Sequence, residues 1–575
     1  MIKEKTNEEI AELLYEIGEF LAMQEEPFKP RAYEKAGDSV SELSDSVIKI
    51  YKVSGIKGVE NIPGVGKSIA QTIEEFILKG KSSHYEELKR AVPVNLKELS
   101  SIEGLGPKSI KKLYVLLKVK DLKTLERAVT THKIAKLSGF GEKAEQNILK
   151  GIEFLKKSGG RLTLGEVFPI AERIKERLLS VSGVDKAVVA GSTRRGKETV
   201  GDLDILAIAK DSKKIMKEFV SMNEVAKIIA NGGTKSSVKL NNGLDVDLRA
   251  VPKDSYGAAL NYFTGSKAHN IGLRKIAIKK GYKLNEYGLY KGSRQIAGKT
   301  EEEIYSALGL QYVEPEMREN TGEIELSAKK GLPKLIGYGD LQGDLQVQTD
   351  WTDGAHSIEQ MAKAAILRGL KYIVITDHTK RLAMTGGLDD KKILKQMAEI
   401  DRLNKKFAGK IRILKGSECD ILKDGSMDLS DKTLSRLEVV GGAVHSNFNL
   451  SSKEQTARIC RAMENKNVDI IFHPTGRVIK RREAFAVDVD ALISKAKETG
   501  TILEIDAYPD RLDLKDDYIR KCVDAGARLS IDSDAHSAEH FDFLKFGIMQ
   551  ARRGWAKKSD IINTRDVEGM LKMLK

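Results

Sequence analysis

The chain has 575 residues, three cysteines and a formal net charge of +14, with an isoelectric point near 9.2. A chain of this length is expected to form several structural units, each with its own core. Three distant cysteines without a Cys-x-x-Cys pair exclude a cysteine zinc cluster and a disulfide framework, so a reducing cytoplasm is expected. The N-terminus is charged, so no signal peptide is expected. The chain has no long apolar run, so no membrane span is expected.

The N-terminal quarter is predicted to be all helical. Apolar residues at helical spacing predict a first helix from Ile10 to Leu21, capped by Thr6 or Asn7. An apolar-x-Gly-apolar-Gly pattern then recurs three times, around residues 62–69, 102–110 and 137–144. Each copy precedes an amphipathic segment, so each is interpreted as a tight hairpin that opens a new helix.

These hairpins suit a phosphate group. Paired glycines allow a sharp turn and a close approach of backbone N–H groups, and the following helix contributes its positive N-terminus. Three ordinary turns between helices are the alternative, but the repetition within a basic chain favours DNA backbone binding by motifs that resemble helix-hairpin-helix. The predicted DNA contacts are the glycines and adjacent lysines: Gly64, Gly66, Lys67, Gly104, Gly106, Lys108, Gly139, Gly141 and Lys143.

After residue 160 the pattern changes to strands, predicted at 186–190, 203–209 and 245–251. Asp202 and Asp204 are two residues apart on one strand, so both carboxylates face the same side and require cations such as Mg²⁺ between them. A third carboxylate is needed, and the pattern alone leaves Asp245 and Asp247 as alternatives. A Gly-Ser turn at 191–192 and Arg195 supply donors for a triphosphate.

Residues 1–320 resemble a family X DNA polymerase and are similar to DNA polymerase beta. The resemblance rests on the hairpins, the Gly-Ser turn with Gly201-Asp202-Leu203-Asp204, and the motifs Asp247-Leu248-Arg249, Tyr262-Phe263-Thr264-Gly265-Ser266 and Asn285-Glu286-Tyr287. It selects Asp247, because the third aspartate of this family precedes an apolar residue and an arginine.

The resemblance implies two-metal nucleotidyl transfer by Asp202, Asp204 and Asp247, with Mg²⁺ or Mn²⁺. Asp202 and Asp204 would bridge both metals, and Asp247 would hold the catalytic metal and help to deprotonate the primer 3′-hydroxyl. That hydroxyl would attack the α-phosphate of a deoxynucleoside triphosphate and release pyrophosphate. The implied nucleotide contacts are Arg161, Gly191, Ser192, Arg195 and Gly201 for the triphosphate, Tyr262, Phe263 and Gly265 for the sugar, and Asn270 for the base.

Two further properties of the resemblance concern the N-terminal region. The first two hairpins of this family bind a monovalent cation through carbonyls, here near Ile62, Val65, Ile102 and Leu105. Relatives with lyase activity form a Schiff base through a lysine, but Thr72 occupies that position here and forms no imine. Lys67 is the neighbouring amine that could replace it.

From residue 339 onward, short apolar strands such as 372–376 and 502–505 alternate with helices, which predicts a parallel β/α barrel. Histidines and acids follow these strands and suit Zn²⁺ or Mn²⁺. The pattern resembles the polymerase-and-histidinol-phosphatase (PHP) domain, whose matching ligands are Asp353, His378, Glu418, His445, His473, Asp534 and His536. The first motif departs from the family, because Gln346 and Gln348 replace two histidines.

The predicted fold is multidomain. All-α helix-hairpin-helix domains cover 1–90 and 91–158, an α+β nucleotidyltransferase palm covers 159–252, and an α/β thumb covers 253–316. A linker (317–338) and a distorted β/α barrel (339–575) complete the chain.

The predicted function is gap-filling repair synthesis on gapped or primed double-stranded DNA by a cytoplasmic monomer. The 3′–5′ exonuclease activity of the PHP domain is expected to be reduced or lost. An active PHP exonuclease or AP endonuclease, and a PHP domain that is only a scaffold, are the alternatives.

Overall fold

The computed structural model describes residues 5–575 with the exception of 6, 42, 44, 45, 101, 103, 104, 158, 159, 383 and 384. The predicted DNA contact Gly104 and the predicted helix cap Thr6 therefore lie outside the described residues. The chain forms two compact units, one of residues 1–159 and 480–482 and one of residues 160–479 and 483–575. Within the described residues, no helix is both long and apolar enough to cross a membrane.

The first unit is helical, as predicted. The predicted first helix lies inside Asn7–Met23, where Ile10, Leu14 and Ile17 are fully buried. Asn7 is the first residue of that helix, and its side-chain oxygen accepts a hydrogen bond from the Val47 N–H, so it tethers a later helix. The described helices are Asn7–Met23, Lys29–Ser41, Val47–Glu60, Lys67–Lys79, Ser83–Ala91, Leu96–Ser100, Pro107–Leu117, Leu122–Thr130 and Glu142–Lys157.

The palm of the second unit contains a five-stranded sheet. In spatial order its strands are Val184–Val189, Asp202–Ala209, Asp245–Ala250, Lys235–Leu240 and Val225–Asn231. The three predicted strands agree with this sheet to within two residues. Its helices are Leu164–Leu179, Gly191–Arg194 and Ser212–Val220, and a small sheet pairs Leu162–Thr163 with Thr199–Val200. The parallel pairing of Asp202–Ala209 with Asp245–Ala250 brings the predicted metal ligands together.

The thumb is a mixed α/β layer. Its helices are Tyr256–Thr264, Lys267–Lys279, Glu301–Ala307 and Glu323–Ala328, its 3-10 turns are Lys253–Ser255 and Pro315–Met317, and its strands are Lys283–Asn285, Gly288–Lys291 and Arg294–Ala297.

The segment 317–338 differs from the predicted linker, because it is folded. Arg318 and Glu323 are fully buried, and Met317 and Leu335 pack in the thumb core. The charged and glycine-rich composition suggested a solvated connection. The charges are instead paired inside the thumb, as in the ion pair between Arg318 and Glu301.

The C-terminal half contains the predicted parallel barrel. Seven strands are hydrogen bonded in chain order: Gly343–Val347, Tyr372–Ile375, Arg412–Asp420, Val439–Ala443, Ile470–Ile471, Ile502–Asp506 and Leu529–Asp532. A bridge between Val347 and Ala535 connects the two edges. The helices around the sheet are Ile358–Leu367, Asp390–Lys406, Asp431–Leu434, Ser452–Glu464, Val489–Thr499, Asp516–Ala525, Leu544–Arg553 and Val567–Leu571, with 3-10 turns at Ala538–Phe543, Lys558–Asp560 and Ile562–Thr564.

The barrel shares hydrophobic cores with the palm and the thumb. Phe546, Ile479 and Leu512 of the barrel domain belong to the palm core, and Trp555 belongs to the thumb core. Phe168 of the palm contacts the edge of Phe546, with ring centroids 5.4 Å apart. The barrel is therefore packed as a structural part of the second unit.

Candidate metal centres and nucleic-acid interface

The predicted polymerase ligands lie on neighbouring parallel strands. Asp204 is in register with Asp247, and Asp202 is in register with Asp245. Alternate residues of a strand share a face, so all four carboxylates face one side of the sheet. Leu203 and Val246, which alternate with them, are fully buried on the other side. Apolar residues that alternate with the aspartates are buried beneath the sheet, and this burial holds the carboxylates on the opposite face.

Burial and the neighbouring carboxylates both act on Asp204. Burial, and then the negative charges of Asp202 and Asp247, raise the pKa of Asp204 to about 6, while Arg249 and Lys235 partly offset the effect. A divalent cation among these oxygens would remove the repulsion, and hard oxygen donors are what Mg²⁺ and Mn²⁺ prefer. The donor set therefore fits the expected ions.

Asp245 and Asp247 have different surroundings. The Asp245 side chain is 49% exposed and pairs with Lys239 at 2.6 Å. The Asp247 side chain is 30% exposed, and its Oδ2 lies 2.9 Å from Lys235 Nζ. Asp247 is in register with Asp204, and its charge acts on that carboxylate, whereas Asp245 is in register with Asp202.

The Gly-Ser turn (residues 191–195) lies against the carboxylates. Gly191 has φ +62°, and a Cβ there would be 2.7 Å from Asp204 Oδ2, so this position requires glycine. Ser192 Oγ is buried and has no hydrogen-bond partner among the described residues. The turn therefore presents a free hydroxyl beside the acids.

Arg161 and Gly201, two of the predicted triphosphate contacts, are packed together. Arg161 donates from Nη2 to the Thr199 carbonyl at 2.6 Å and from Nε to Thr199 Oγ1 at 3.1 Å. A Cβ at Gly201 would be 2.8 Å from Arg161 Nη1. Gly201 thus leaves the space that the guanidinium group occupies.

Arg195, the last residue of the Gly-Ser turn, connects this turn to the thumb. Its Nη1 donates to the Thr264 carbonyl, and its Nε donates to Glu319 Oε1 at 3.0 Å. Gly265 has φ +69°, and a Cβ there would be 3.2 Å from Arg195 Nη1. The predicted triphosphate and sugar contacts are therefore adjacent.

The other predicted nucleotide contacts continue this surface. Asn270 Nδ2 donates to the Tyr262 carbonyl at 2.7 Å, while Asn270 Oδ1 has no partner in the described part of the chain. Arg249 places its guanidinium 4.4 Å from the centre of the Phe263 ring. Arg249 follows Asp247 by two residues on the same strand. Its contact with Phe263 therefore joins the strand of the predicted metal ligand to the segment of predicted sugar contacts.

Sequence reasoning missed Lys235 and Glu319. Lys235 faces the metal site because it pairs with Arg249 in the antiparallel register of the palm. The Gly232-Gly233 turn before it is a recognisable hairpin signal, so register analysis would have found it. Glu319 lay in the assumed linker and was accessible only from the tertiary structure.

The three predicted hairpins have one backbone geometry in their described residues. The N–H groups of Val65, Leu105 and Phe140 donate at 3.0 Å to the carbonyls of Ile62, Ile102 and Leu137, three residues earlier. Gly64 and Gly139 have φ near +80°. Gly66, Gly106 and Gly141 directly precede helices, and no atom lies within 4 Å of a Cβ built on them. Lys67, Lys108 and Lys143 are exposed beside these turns.

Most of the predicted PHP ligands meet at the ends of the barrel strands. Two groups have ligand atoms within 4.8 Å of one another and share one histidine: Asp353 with His378 and His536, and His378 with Glu418 and His445. His473 Nε2 is 2.8 Å from Glu418 Oε1. Asp534 lies beside them, with its carboxylate 3.8 Å from both His536 and Arg511.

Charge pairing outweighs burial at Glu418 and His378 of this centre. Burial alone would raise the pKa of Glu418, but the charges and hydrogen bonds of its histidines hold it well below its ordinary value. Burial would lower the pKa of His378, but Glu418 and Asp353 raise it to about 9. An anionic Glu418 among imidazoles fits a divalent transition metal ion.

The two glutamines are two residues apart at the end of the first barrel strand, and Gln348 contacts this centre. Gln348 Nε2 donates to Glu418 Oε2 at 2.8 Å, so its amide N–H group occupies a potential metal-binding oxygen. Gln346 is fully buried, and neither its amide oxygen nor its nitrogen has a hydrogen-bond partner within the described structure. Both positions therefore carry buried amide groups where the resemblance implies histidines.

Comparison with known proteins places each part of this architecture. Family models match residues 5–82 (helix-hairpin-helix domain), 50–118 and 96–153 (SAM-like helix-hairpin-helix tandem), 161–244 (DNA polymerase beta palm), 259–319 (DNA polymerase beta thumb) and 344–505 (PHP domain). DNA polymerase/3′-5′ exonuclease PolX of Bacillus subtilis is 37% identical over 572 residues, which cover 98% of this chain and 99% of that protein. The chain belongs to the family X DNA polymerases that carry a C-terminal PHP domain. It is a DNA-directed DNA polymerase and binds DNA.

Two eukaryotic DNA polymerases match about half of this polymerase. DNA polymerase lambda of Arabidopsis thaliana is 27% identical over 304 residues, which cover 46% of this chain and 54% of that protein. DNA polymerase lambda of the rat is 25% identical over 297 residues, which cover 46% and 49%. The similarity to the Bacillus protein, in contrast, extends over both the polymerase and the PHP parts.

Proposed function

We propose that this polymerase fills short gaps in DNA during repair, using two divalent metals held by Asp202, Asp204 and Asp247. The observation that carries the proposal is the pairing in register of the two aspartate strands beside the Gly-Ser turn. When bound, the ions would supply the positive charge that stabilises the phosphate in the transition state.

The side chains around the aspartates have roles that follow from their positions. Ser192 offers an unpartnered hydroxyl to a phosphate, and Arg161 and Arg195 offer cationic donors. Asp247 would help to deprotonate the primer 3′-hydroxyl. The backbone at Tyr262–Gly265 would approach the sugar and disfavour a 2′-hydroxyl, and Asn270 would contact the base.

Binding to gapped DNA is supported by the first helical unit. Its three exposed hairpin lysines suit contacts with the backbone at separate points. A cavity of about 650 Å³ lies beside the first hairpin and is lined by residues that include Lys29, Lys67 and His84, which suit a phosphate. Thr72 lines the same cavity and donates its hydroxyl to the Ser68 carbonyl at 3.1 Å, so no lyase step through residue 72 is proposed.

For the PHP domain, we propose a 3′–5′ exonuclease activity that is reduced or lost. The supporting observation is the hydrogen bond from Gln348 to Glu418 together with the unpartnered Gln346 amide. A neutral amide is a weaker ligand than imidazole for Zn²⁺ or Mn²⁺. Such a domain would bind metal less tightly than relatives with histidines.

An active exonuclease or AP endonuclease is the second candidate. Two observations favour it: the name of the Bacillus relative includes 3′-5′ exonuclease, and five of the seven predicted ligands, Glu418 among them, form two groups that share His378. His378, Asp353 and His536 form a group that neither glutamine touches by a hydrogen bond among the described contacts.

Primer extension on a gapped duplex tests both proposals in one experiment. Extension and shortening of a labelled primer are followed with Mg²⁺ or Mn²⁺, on one-nucleotide gaps, longer gaps and open primed templates. Gap-filling predicts faster extension on short gaps, and equal rates on all templates would contradict it. Brisk shortening that His473→Ala abolishes would establish the second candidate.

A further inference from the structure

A helix of the PHP domain, Leu544–Arg553, packs against the backbone next to the proposed polymerase site. Its Phe546 is 3% exposed and packs in the palm core. One turn later, Gln550 Nε2 donates to the carbonyl of Gly196 at 2.9 Å, directly after the Gly-Ser turn. A Cβ at Gly196 would be 3.0 Å from Met549, so the helix is in close contact with this backbone.

Arg553, the last residue of this helix, is a buried charge with several partners. Its side chain is 3% exposed. Nη1 donates to the Arg195 carbonyl at 2.9 Å and to Glu319 Oε1 at 3.0 Å, and Nη2 pairs with Asp516 of the barrel domain. A planar guanidinium group with separate acceptors holds them in a defined geometry.

Glu319 connects Arg553 to the side chain of Arg195. The same Oε1 atom that accepts from Arg553 also accepts from Arg195 Nε at 3.0 Å. Arg553 therefore restrains Arg195 at two points: directly at its backbone carbonyl, and through Glu319 at its guanidinium group. Both restraints depend on Arg553, which belongs to the PHP domain.

We propose that Arg553 is a positioning residue for the incoming nucleotide, and that it acts by orienting Arg195 and the Gly-Ser turn before the triphosphate binds. The inference rests on the proposed function, in which Arg195 and Ser192 contact the triphosphate. Donors held in place before binding lose less entropy when the ligand arrives. The PHP barrel is then a structural part of the polymerase site, whatever its own catalytic activity.

Steady-state extension of a one-nucleotide gap tests this role in the full-length protein. Arg553→Ala is expected to raise the KM for the deoxynucleoside triphosphate by about tenfold or more, because charged hydrogen bonds are lost. The KM for DNA should stay near the wild-type value. Arg553→Lys keeps the positive charge but loses the several N–H donors of the guanidinium group. Its nucleotide KM should lie between those of the wild type and Arg553→Ala.

Arg552→Ala is the matched control. Arg552 is the preceding residue, its side chain is 10% exposed, and it makes an ion pair with Glu316 and a hydrogen bond to the Ile336 carbonyl. Its loss removes a comparable buried ion pair from the same interface without removing the contact to Arg195. The nucleotide KM of Arg552→Ala should therefore stay within about twofold of wild type.

A double substitution tests the route through Glu319. Glu319→Gln should raise the nucleotide KM, and Arg553→Lys/Glu319→Gln should raise it by less than the product of the single effects, because both act on Arg195. If Arg553→Ala fails to fold, Arg553→Lys and Glu319→Gln decide the question.

The inference is overturned if the folded Arg553 variants have the wild-type nucleotide KM, or if Arg552→Ala raises it equally. Its failure differs from failure of the proposed function. In the latter case the wild-type chain itself would not extend a gapped primer.

Discussion

Asp245 and Asp247 share one face of one strand, and their neighbours distinguish them. Asp245 is paired with Lys239 and half-exposed, whereas Asp247 lies opposite Asp204 and carries the Lys235 contact. An acid that helps to hold a metal cannot be removed without losing charge stabilisation in the transition state.

We therefore expect Asp247→Ala to reduce extension by about three orders of magnitude or more while DNA binding is retained. Asp202→Ala and Asp204→Ala should behave in the same way. The matched control is Asp245→Ala, which should stay near wild-type activity. Single-turnover extension and equilibrium DNA binding provide the measurement, and an active Asp247→Ala variant would refute the assignment.

The glutamines of the barrel provide a second comparison at the residue scale. Gln348 donates to Glu418, and Gln346 has no described partner. Histidine at both positions would replace two buried amides with imidazoles, one of them next to Glu418, and imidazole is a favoured ligand of divalent transition metals.

We expect Gln346→His/Gln348→His to bind more Mn²⁺ and to degrade single-stranded DNA from its 3′ end faster than the natural chain. Metal content by elemental analysis and degradation with Mn²⁺ are the two measurements. Adding His473→Ala should abolish the gain. Equal metal content and equal degradation in both chains would show that the glutamines are not the cause of weak activity.

At the scale of elements, the hairpins repeat one turn in three places. Each turn has the same backbone hydrogen bond at 3.0 Å and an exposed lysine at the start of the next helix. Such a surface can bind DNA phosphates without contacting the base edges. Its contribution to DNA affinity should therefore depend on salt concentration and be independent of the DNA sequence.

We expect Lys67→Ala, Lys108→Ala and Lys143→Ala each to weaken DNA binding equally for unrelated sequences. Each should also reduce the slope of log K against log salt by about one. Lys123→Ala is the control, because Lys123 is exposed on Leu122–Thr130 and belongs to none of the three turns. A change in sequence preference would argue against backbone recognition.

At the scale of the whole molecule, the palm and the barrel share apolar side chains. Phe546 lies between them, with Phe168 at its edge and Lys545 Nζ 5.1 Å from its ring centre. Deletion of residues 339–575 would remove Phe546, Ile479 and Leu512 from the palm core. Loss of extension after that deletion would therefore report on folding and would not assign the activity to the barrel.

Phe546→Ala tests this shared core with a single substitution. It should lower the free energy of unfolding by about 3–5 kcal/mol, because it leaves a cavity in a packed core. The polymerase activity should also be lost at a lower temperature than in the natural chain. Leu367→Ala, at a side chain that is 85% exposed, is the control. Unchanged heat inactivation of Phe546→Ala would show that the two parts are energetically independent.

The sequence by itself determined the helical first unit, the strands that carry the acids, and the barrel in which strands alternate with helices. Periodicity and the glycine hairpins are local signals, so they specify elements without knowledge of their partners. The choice of Asp247, in contrast, needed the family resemblance, because spacing along one strand treats both acids alike.

Only the tertiary structure decided how the parts are joined. The segment 317–338 resembled a linker in composition, yet it buries Arg318 and supplies Glu319 to Arg195. Arg553 is 358 positions from Arg195 along the chain. Contacts between such distant residues depend on three-dimensional packing, which leaves no periodic signal in a single sequence. The acids of the proposed polymerase site could therefore be located from the sequence, whereas Arg553, which we propose orients the Gly-Ser turn, could not.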